Sequence, residues 1–220
     1  ARRVTSGAAP ISPDLIHWFA ALGVPLVEGY GMTETAGVAT VNTVEDNRIG
    51  TVGPALPGVS LRIDDNGELL VGGPCVFDGY WNKPDETAKV MTTDGFFRTG
   101  DVGLMDENGF FSIVDRKKDM INVSGFNVYP NELEDVMAAM PGVQQCAAIG
   151  VPDEKSGEAI KVFLVKTADS KLTEEDVKNQ MRSNLTAYKV PKYVEFRDSL
   201  PTTNVGKILR RELRDEELKK

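Results

Sequence analysis

The chain is short of the residues that build metal and redox sites. Its 220 residues include one histidine, His17, and two cysteines, Cys75 and Cys146. The cysteines lie far apart and fit no metal-ligand spacing, and with a single histidine the ligand count argues against a zinc site. They read as reduced thiols of a cytosolic protein. His17 stands beside Trp18 and Phe19, a setting for packing or surface exposure rather than catalysis. Cations are also in deficit, with a net charge of -8. That argues against nucleic-acid binding, which usually needs a basic surface; a nucleotide can still be held by local positive groups. No apolar run approaches the about 20 residues that span a bilayer. No signal-peptide pattern opens the chain, and no repeat or low-complexity segment occurs. The absent initiator methionine reads as a chain that was processed, trimmed or cut from something longer.

What is present is ordinary in bulk and specific in detail. A chain that is 41% hydrophobic and 26% charged suits a soluble globular fold, with room for one large domain or two small ones. Residues 12–22 read as a helix: Ser12 as N-cap, Pro13 in the first turn, Gly23 after its end. Leu15, Ile16, Phe19 and Leu22 form its apolar stripe. Residues 24–27 read as a buried strand, followed by a turn at Gly29-Tyr30-Gly31. From Gly50 onward, Gly and Pro recur around short strands at 60–63 and 68–71. Asp64-Asp65-Asn66-Gly67 and Asp106-Glu107-Asn108-Gly109 are turn signals. This texture predicts a small irregular β-barrel or sheet beside an α/β unit. Further on, helix 131–140, strands 143–151, 160–165 and 193–196, a helix capped by Thr173 and a charged helix 208–220 predict an α+β domain of about 100 residues.

Four short motifs could carry chemistry. In Tyr30-Gly31-Met32-Thr33-Glu34 the glycine lets the backbone turn, Thr33 offers a hydroxyl to a phosphate, and Glu34 offers a hard oxygen ligand to magnesium. On residues alone, a Thr-Glu after a glycine turn is more often a helix cap. Ser6-Gly7-Ala8-Ala9-Pro10 is a small-residue loop, read from its residues as a tight turn. In Phe97-Arg98-Thr99-Gly100-Asp101 the aspartate follows a glycine turn and could accept two hydroxyl hydrogen bonds, as a ribose would offer; an Asx turn is the plainer alternative. Asn204-Val205-Gly206-Lys207 places a lysine on a loop just before a helix.

The most informative run is 115–130. A charged cluster, Asp115-Arg116-Lys117-Lys118-Asp119, separates strand-like segments at 110–114 and 120–123, and a flexible Ser124-Gly125 follows. Charges packed so tightly between strands mark an exposed joint between folding units.

This run closely resembles the hinge of the adenylate-forming enzymes, which comprise acyl-CoA synthetases, firefly-type luciferases and peptide-synthetase adenylation domains. The likeness covers the whole chain, with the motifs in the family's order, and is closest to the bacterial long-chain fatty acyl-CoA synthetases. It implies a domain layout: residues 1–116 as the end of a large AMP-binding domain (1–46 an α/β unit, 47–116 a β-rich subdomain), and 117–220 as a mobile α+β lid with its hinge near Lys118. It also implies roles. Gly7, Ala8 and Ala9 would border the adenine, Tyr30 and Gly31 the nucleotide and acyl pocket, Thr33 the phosphate, Glu34 the Mg2+, and Asp101 and Arg116 the ribose and phosphate. Lys207 would stabilise charge on the α-phosphate in one conformation only. Ser124, Gly125 and Phe126 would line the CoA tunnel in the other. Lys189, Lys192 and Arg210 are guesses, from charge alone, for the CoA phosphates.

The implied reaction is adenylation of a fatty acid by ATP with Mg2+, then thioester formation with CoA. The family's glycine- and Ser/Thr-rich phosphate loop is missing, so the expectation is the C-terminal portion of a synthetase, inactive or nearly so alone. Alternatives are an enzyme loading a carrier protein, an aryl or medium-chain acid ligase, and a non-catalytic nucleotide-binding module. The resemblance implies a cytoplasmic protein with room for peripheral contact at the inner membrane, although no residue shows an anchor.

Overall fold

The computed structural model describes residues 4–7, 11–204 and 206–219. It divides into two compact units between Lys117 and Lys118. Among the described residues no helix is long and apolar enough to cross a membrane.

The first unit opens with a small α/β layer. Strand β1 (Val4–Ser6) pairs in parallel with β2 (Leu26–Tyr30), and β3 (Thr40–Val41) pairs antiparallel to β2. Between β1 and β2 runs α1 (Pro13–Ala21). The Ser12 hydroxyl accepts from the Leu15 N–H at 3.2 Å, and Pro13 fills the first helical position, as the sequence predicts. The stripe is narrower than its periodicity suggests. Ile16 is buried, whereas Leu15 and Leu22 are exposed. Gly29 and Tyr30 are not a turn after the strand but its last two residues, paired with Val41 and Thr40.

The rest of this unit is a four-stranded antiparallel sheet, β4 (Ser60–Ile63), β5 (Glu68–Gly72), β6 (Phe97–Met105) and β7 (Phe111–Arg116), in sequence order. Of the expected barrel or sheet, this is the sheet. Two of its turns use one device. Asp64 Oδ1 accepts from the Asn66 and Glu68 N–H groups; Asp106 Oδ1 does the same for Asn108 and Phe110. Leu69, Leu70, Val71, Phe97, Phe110 and Phe111 are buried. A short helix with no periodic signal in the sequence, α2 (Pro84–Val90), buries none of its residues. It has no apolar stripe to announce it, only the proline and acids of its first turn.

The second unit packs helices on both faces of a five-stranded sheet. The short hairpin of β8 (Ile121–Val123) and β9 (Phe126–Val128) leads into α3 (Pro130–Ala138). The long hairpin of β10 (Val143–Asp153) and β11 (Gly157–Lys166) forms the centre, and β12 (Tyr193–Arg197) lies parallel to β11. Side chains alternate across a strand, and β10 shows what that achieves. Cys146 and Ala148 join the core under α3 and α4 (Glu174–Asn184), with Leu133, Met137, Val177 and Met181. Ala147, Ile149 and Val151 join the opposite core with Leu213 of α5 (Arg210–Glu217). Thr173 caps α4 in a reciprocal box with Asp176, an arrangement worth about 1 kcal/mol. The last helix begins at Arg210 rather than 208, because Ile208 is bridged to Thr202 instead.

Candidate active site

A bulge in β6 creates the centre of the site in the first unit. Glu68 pairs with Val102 and Leu70 with Arg98. Leu69 alone therefore faces three residues, Thr99, Gly100 and Asp101, where the sequence predicts a turn at Gly100. Gly100 has φ of 72°, a conformation glycine adopts without steric cost. The bulged backbone is held by side chains. Thr99 Oγ1 donates to the Leu69 carbonyl at 2.7 Å, and the Gly100 N–H donates to Glu68 Oε1 at 3.0 Å.

The bulge brings Asp101 against two residues of separate motifs. The Tyr30 hydroxyl donates to Asp101 Oδ2 at 2.6 Å, the length of a charge-assisted bond. Burial first, and the Asp101 charge second, push the Tyr30 phenol far above its ordinary range, so it stays a proton donor. On the other side Arg116, register partner of Asp101, brings Nε to 3.8 Å from Oδ1. The Arg116 side chain is 48% exposed. Such a pair is worth at most about 1 kcal/mol, so a bound anion can recruit the guanidinium.

Thr33 and Glu34 lie on a single 3-10 turn, Thr33–Thr35. Thr33 is exposed. The Glu34 carboxylate accepts from the Tyr80 hydroxyl at 2.9 Å through Oε1, a contact across 46 residues that no local signal foretells. Gly31 has a steric reason to be glycine: a Cβ there would fall 1.7 Å from the Gly37 carbonyl oxygen. Gly7 follows β1, while Ala8 and Ala9 lie outside the described residues. No cluster of three or more carboxylates, cysteines or histidines able to hold a metal occurs among the described residues. A lone carboxylate still fits magnesium, which is bound through one or two carboxylates plus substrate phosphates.

The second unit carries the other expected residues. Lys118 is its first residue, in the 3-10 turn Lys117–Asp119. Its carbonyl accepts from Arg214 Nη1 at 2.9 Å, and buried Asp119 accepts from Arg214 Nη2 at 2.7 Å. On the near side of the joint, Lys117 Nζ donates to Glu68 Oε2 at 3.1 Å within the first unit. Ser124-Gly125 forms the two-residue turn of the β8–β9 hairpin. Both residues have positive φ, 53° and 87°, as the preferred tight hairpin turn requires, and Asn122 Oδ1 accepts from the Gly125 N–H at 3.0 Å. Phe126 is exposed but stacks on Tyr188, with ring centroids 4.7 Å apart. Exposed Lys207 sits in a small loop. Its N–H donates to Thr203 Oγ1 at 3.1 Å, and its carbonyl accepts from the Thr203 N–H at 2.8 Å. The three cations proposed for CoA have carboxylate partners: Lys189 with Glu132, Lys192 with Asp153, and Arg210 with Glu134 and Asp119.

The chain matches two family models in succession. Residues 1–81 match the AMP-binding enzyme family, and residues 132–207 match the AMP-binding enzyme C-terminal domain. The chain belongs to the AMP-binding, adenylate-forming enzymes. Similar proteins of this family include the long-chain-fatty-acid–CoA ligases of Escherichia coli O6:H1, 54% identical over 96% of this chain, and of Yersinia pestis, 50% identical over 99%. Feruloyl-CoA synthase from an Amycolatopsis species is 41% identical over 97%. The chain spans 39%, 41% and 46% of these relatives. Among solved family members, ATP-bound MatB from Rhodopseudomonas palustris is 40% identical with a TM-score of 0.91, aligned over 98% of this chain and 45% of its own. The o-succinylbenzoate CoA synthetase MenE of Bacillus subtilis, with its acyl-adenylate, is 28% identical with a TM-score of 0.89 over 97% and 46%.

Proposed function

We propose that this chain is the C-terminal portion of an ATP-dependent long-chain fatty acid–CoA ligase. The observation that carries the reading is the convergence of Tyr30, Asp101 and Arg116 from three sequence motifs, in a chain of which 96% aligns at 54% identity with 39% of such a ligase. In the first half-reaction a fatty carboxylate oxygen attacks the α-phosphorus of ATP, the bond to pyrophosphate breaks, and acyl-adenylate forms. In the second, the CoA sulfur attacks the acyl carbonyl, AMP leaves, and the thiol proton is lost.

Asp101 accepts from the ribose hydroxyls, and Arg116 turns from Asp101 toward ribose and phosphate. Thr33 donates to the α-phosphate. Glu34 would hold a magnesium ion, which offsets phosphate charge when bound. Lys207 donates toward the α-phosphate during adenylation, where one positioned donor is worth about 3 kcal/mol. Rotation about Lys118 then exchanges Lys207 for the hairpin at Gly125, whose missing side chain leaves room for the pantetheine arm. The location of Lys118 at the boundary of two compact units supports this pivot.

Fatty-acid-dependent ATP–pyrophosphate exchange tests the reading. The full-length protein exchanges, and this chain alone does not; exchange by this chain alone would overturn the fragment assignment. The likeness to feruloyl-CoA synthase favours one rival, an aryl acid as substrate. Comparing kcat/KM for ferulate and palmitate in the full-length protein separates the two.

A further inference from the structure

Glu34 is gripped twice by one loop of the first unit. The Phe77 N–H donates to the Glu34 carbonyl at 2.9 Å, and the Tyr80 hydroxyl donates to its carboxylate at 2.9 Å. That loop is itself fixed. The Tyr80 N–H donates to Thr87 Oγ1 at 2.9 Å. The Tyr80 ring meets Phe77 edge-on at 4.9 Å, and Phe77 meets Phe97 at 5.6 Å. The turn carrying Glu34 is one 3-10 turn, too short to fix a long side chain by itself. A glutamate held in one rotamer gives up about 1.5–2 kcal/mol of side-chain freedom. If that freedom is already lost in the folded protein, an arriving cation does not have to remove it.

We propose that Tyr80 is a positioning residue for Glu34: its hydroxyl orients the carboxylate through Oε1 and so presents the second oxygen to the cation that accompanies the nucleotide phosphates. The inference rests on the reading of Glu34 as the magnesium ligand. A hydrogen bond from a neutral phenol holds the carboxylate without cancelling its charge. Outer partners of this type typically contribute about 10- to 100-fold to metal affinity.

The test uses the full-length ligase with Tyr80→Phe, which retains the ring and its contact with Phe77, alongside Glu34→Gln and the double variant. Calorimetry measures ATP affinity in excess EDTA and across a Mg2+ titration, and pyrophosphate exchange gives the half-saturating Mg2+. Tyr80→Phe is expected to raise half-saturating Mg2+ about tenfold, with ATP affinity in EDTA unchanged. Adding Tyr80→Phe to Glu34→Gln is expected to change nothing further. A shift with Glu34→Gln but none with Tyr80→Phe overturns the role of Tyr80 and leaves the Glu34 reading standing. No shift with either overturns both. A lowered melting temperature with equal loss of ATP affinity in EDTA makes Tyr80 a loop anchor only, and also overturns the proposal.

Discussion

Asp101 and Arg116 face each other across adjacent antiparallel strands, with Arg116 Nε 3.8 Å from Asp101 Oδ1. The acceptor proposed for sugar hydroxyls and the donor proposed for phosphate therefore stand on one rigid sheet. Asp101→Ala removes that acceptor and also strips the Tyr30 hydroxyl of its partner. Hydrogen bonds to charged groups contribute about 1.5–3 kcal/mol, so ATP and AMP should bind the full-length ligase about 10- to 100-fold more weakly by calorimetry. Unchanged affinity would remove Asp101 from the nucleotide site.

Lys207 should matter to one half-reaction. Lys207→Ala is expected to lower pyrophosphate exchange by about 100- to 1,000-fold, the usual effect of losing one transition-state donor. Thioester formation from supplied acyl-adenylate should stay within a few-fold of the parent. Equal losses in both assays would count against a lysine that acts in one conformation only.

The pivot can be stiffened directly. Proline fixes φ near −65°, so Lys118→Pro should trap one arrangement of the units. Exchange and thioester formation, measured separately, should then diverge by at least about tenfold, a barrier difference of roughly 1.4 kcal/mol. Rates that fall together would place the bend elsewhere.

Acid should loosen the second unit through Glu195. Burial alone would raise its pKa, but hydrogen bonds from Lys161 and Arg197 prevail and bring it down from 4.5 to about 2. A folded pKa below the unfolded one stabilises above the unfolded value and is lost as pH falls through the folded value. Part of the unit's stability should therefore fade between about pH 4.5 and 2. Melting curves of Glu195→Gln should show a flatter acid limb over that window.

The core beneath α3 and α4 should not tolerate truncation. Met181 is fully buried there. Met181→Ala should cost about 2–5 kcal/mol, seen as faster amide exchange in β10 and β11. A change below about 1 kcal/mol would mean that the site collapses around the smaller side chain.

Local chemistry was the legible part. Ser12 and Thr173 are caps because their side chains reach N–H groups three residues on. The turns at Asp64 and Asp106 close within five residues, and the strands expected at 143–151, 160–165 and 193–196 fall within β10, β11 and β12. Strand ends are not legible where pairing, not composition, decides them, as at Gly29 and Tyr30, which continue β2 because β3 arrives beside them. The bulge at Thr99-Gly100-Asp101 reads as a turn in the sequence because a glycine with positive φ serves either, and only the register of β5 distinguishes them.

The order of residue types along the chain determined the class of fold and many of its local elements, since these depend on neighbours within about one turn or strand; the joint expected after residue 116 lies one residue from the division between the two compact units. Tertiary structure decided the partnerships: Tyr30 with Asp101, Tyr80 with Glu34, Arg214 with Asp119. Those pairs are separated by 71, 46 and 95 residues. A hydrogen bond has a reach of about 3 Å and no memory of sequence distance, so only the assembled sheet and its packed loops bring these groups together.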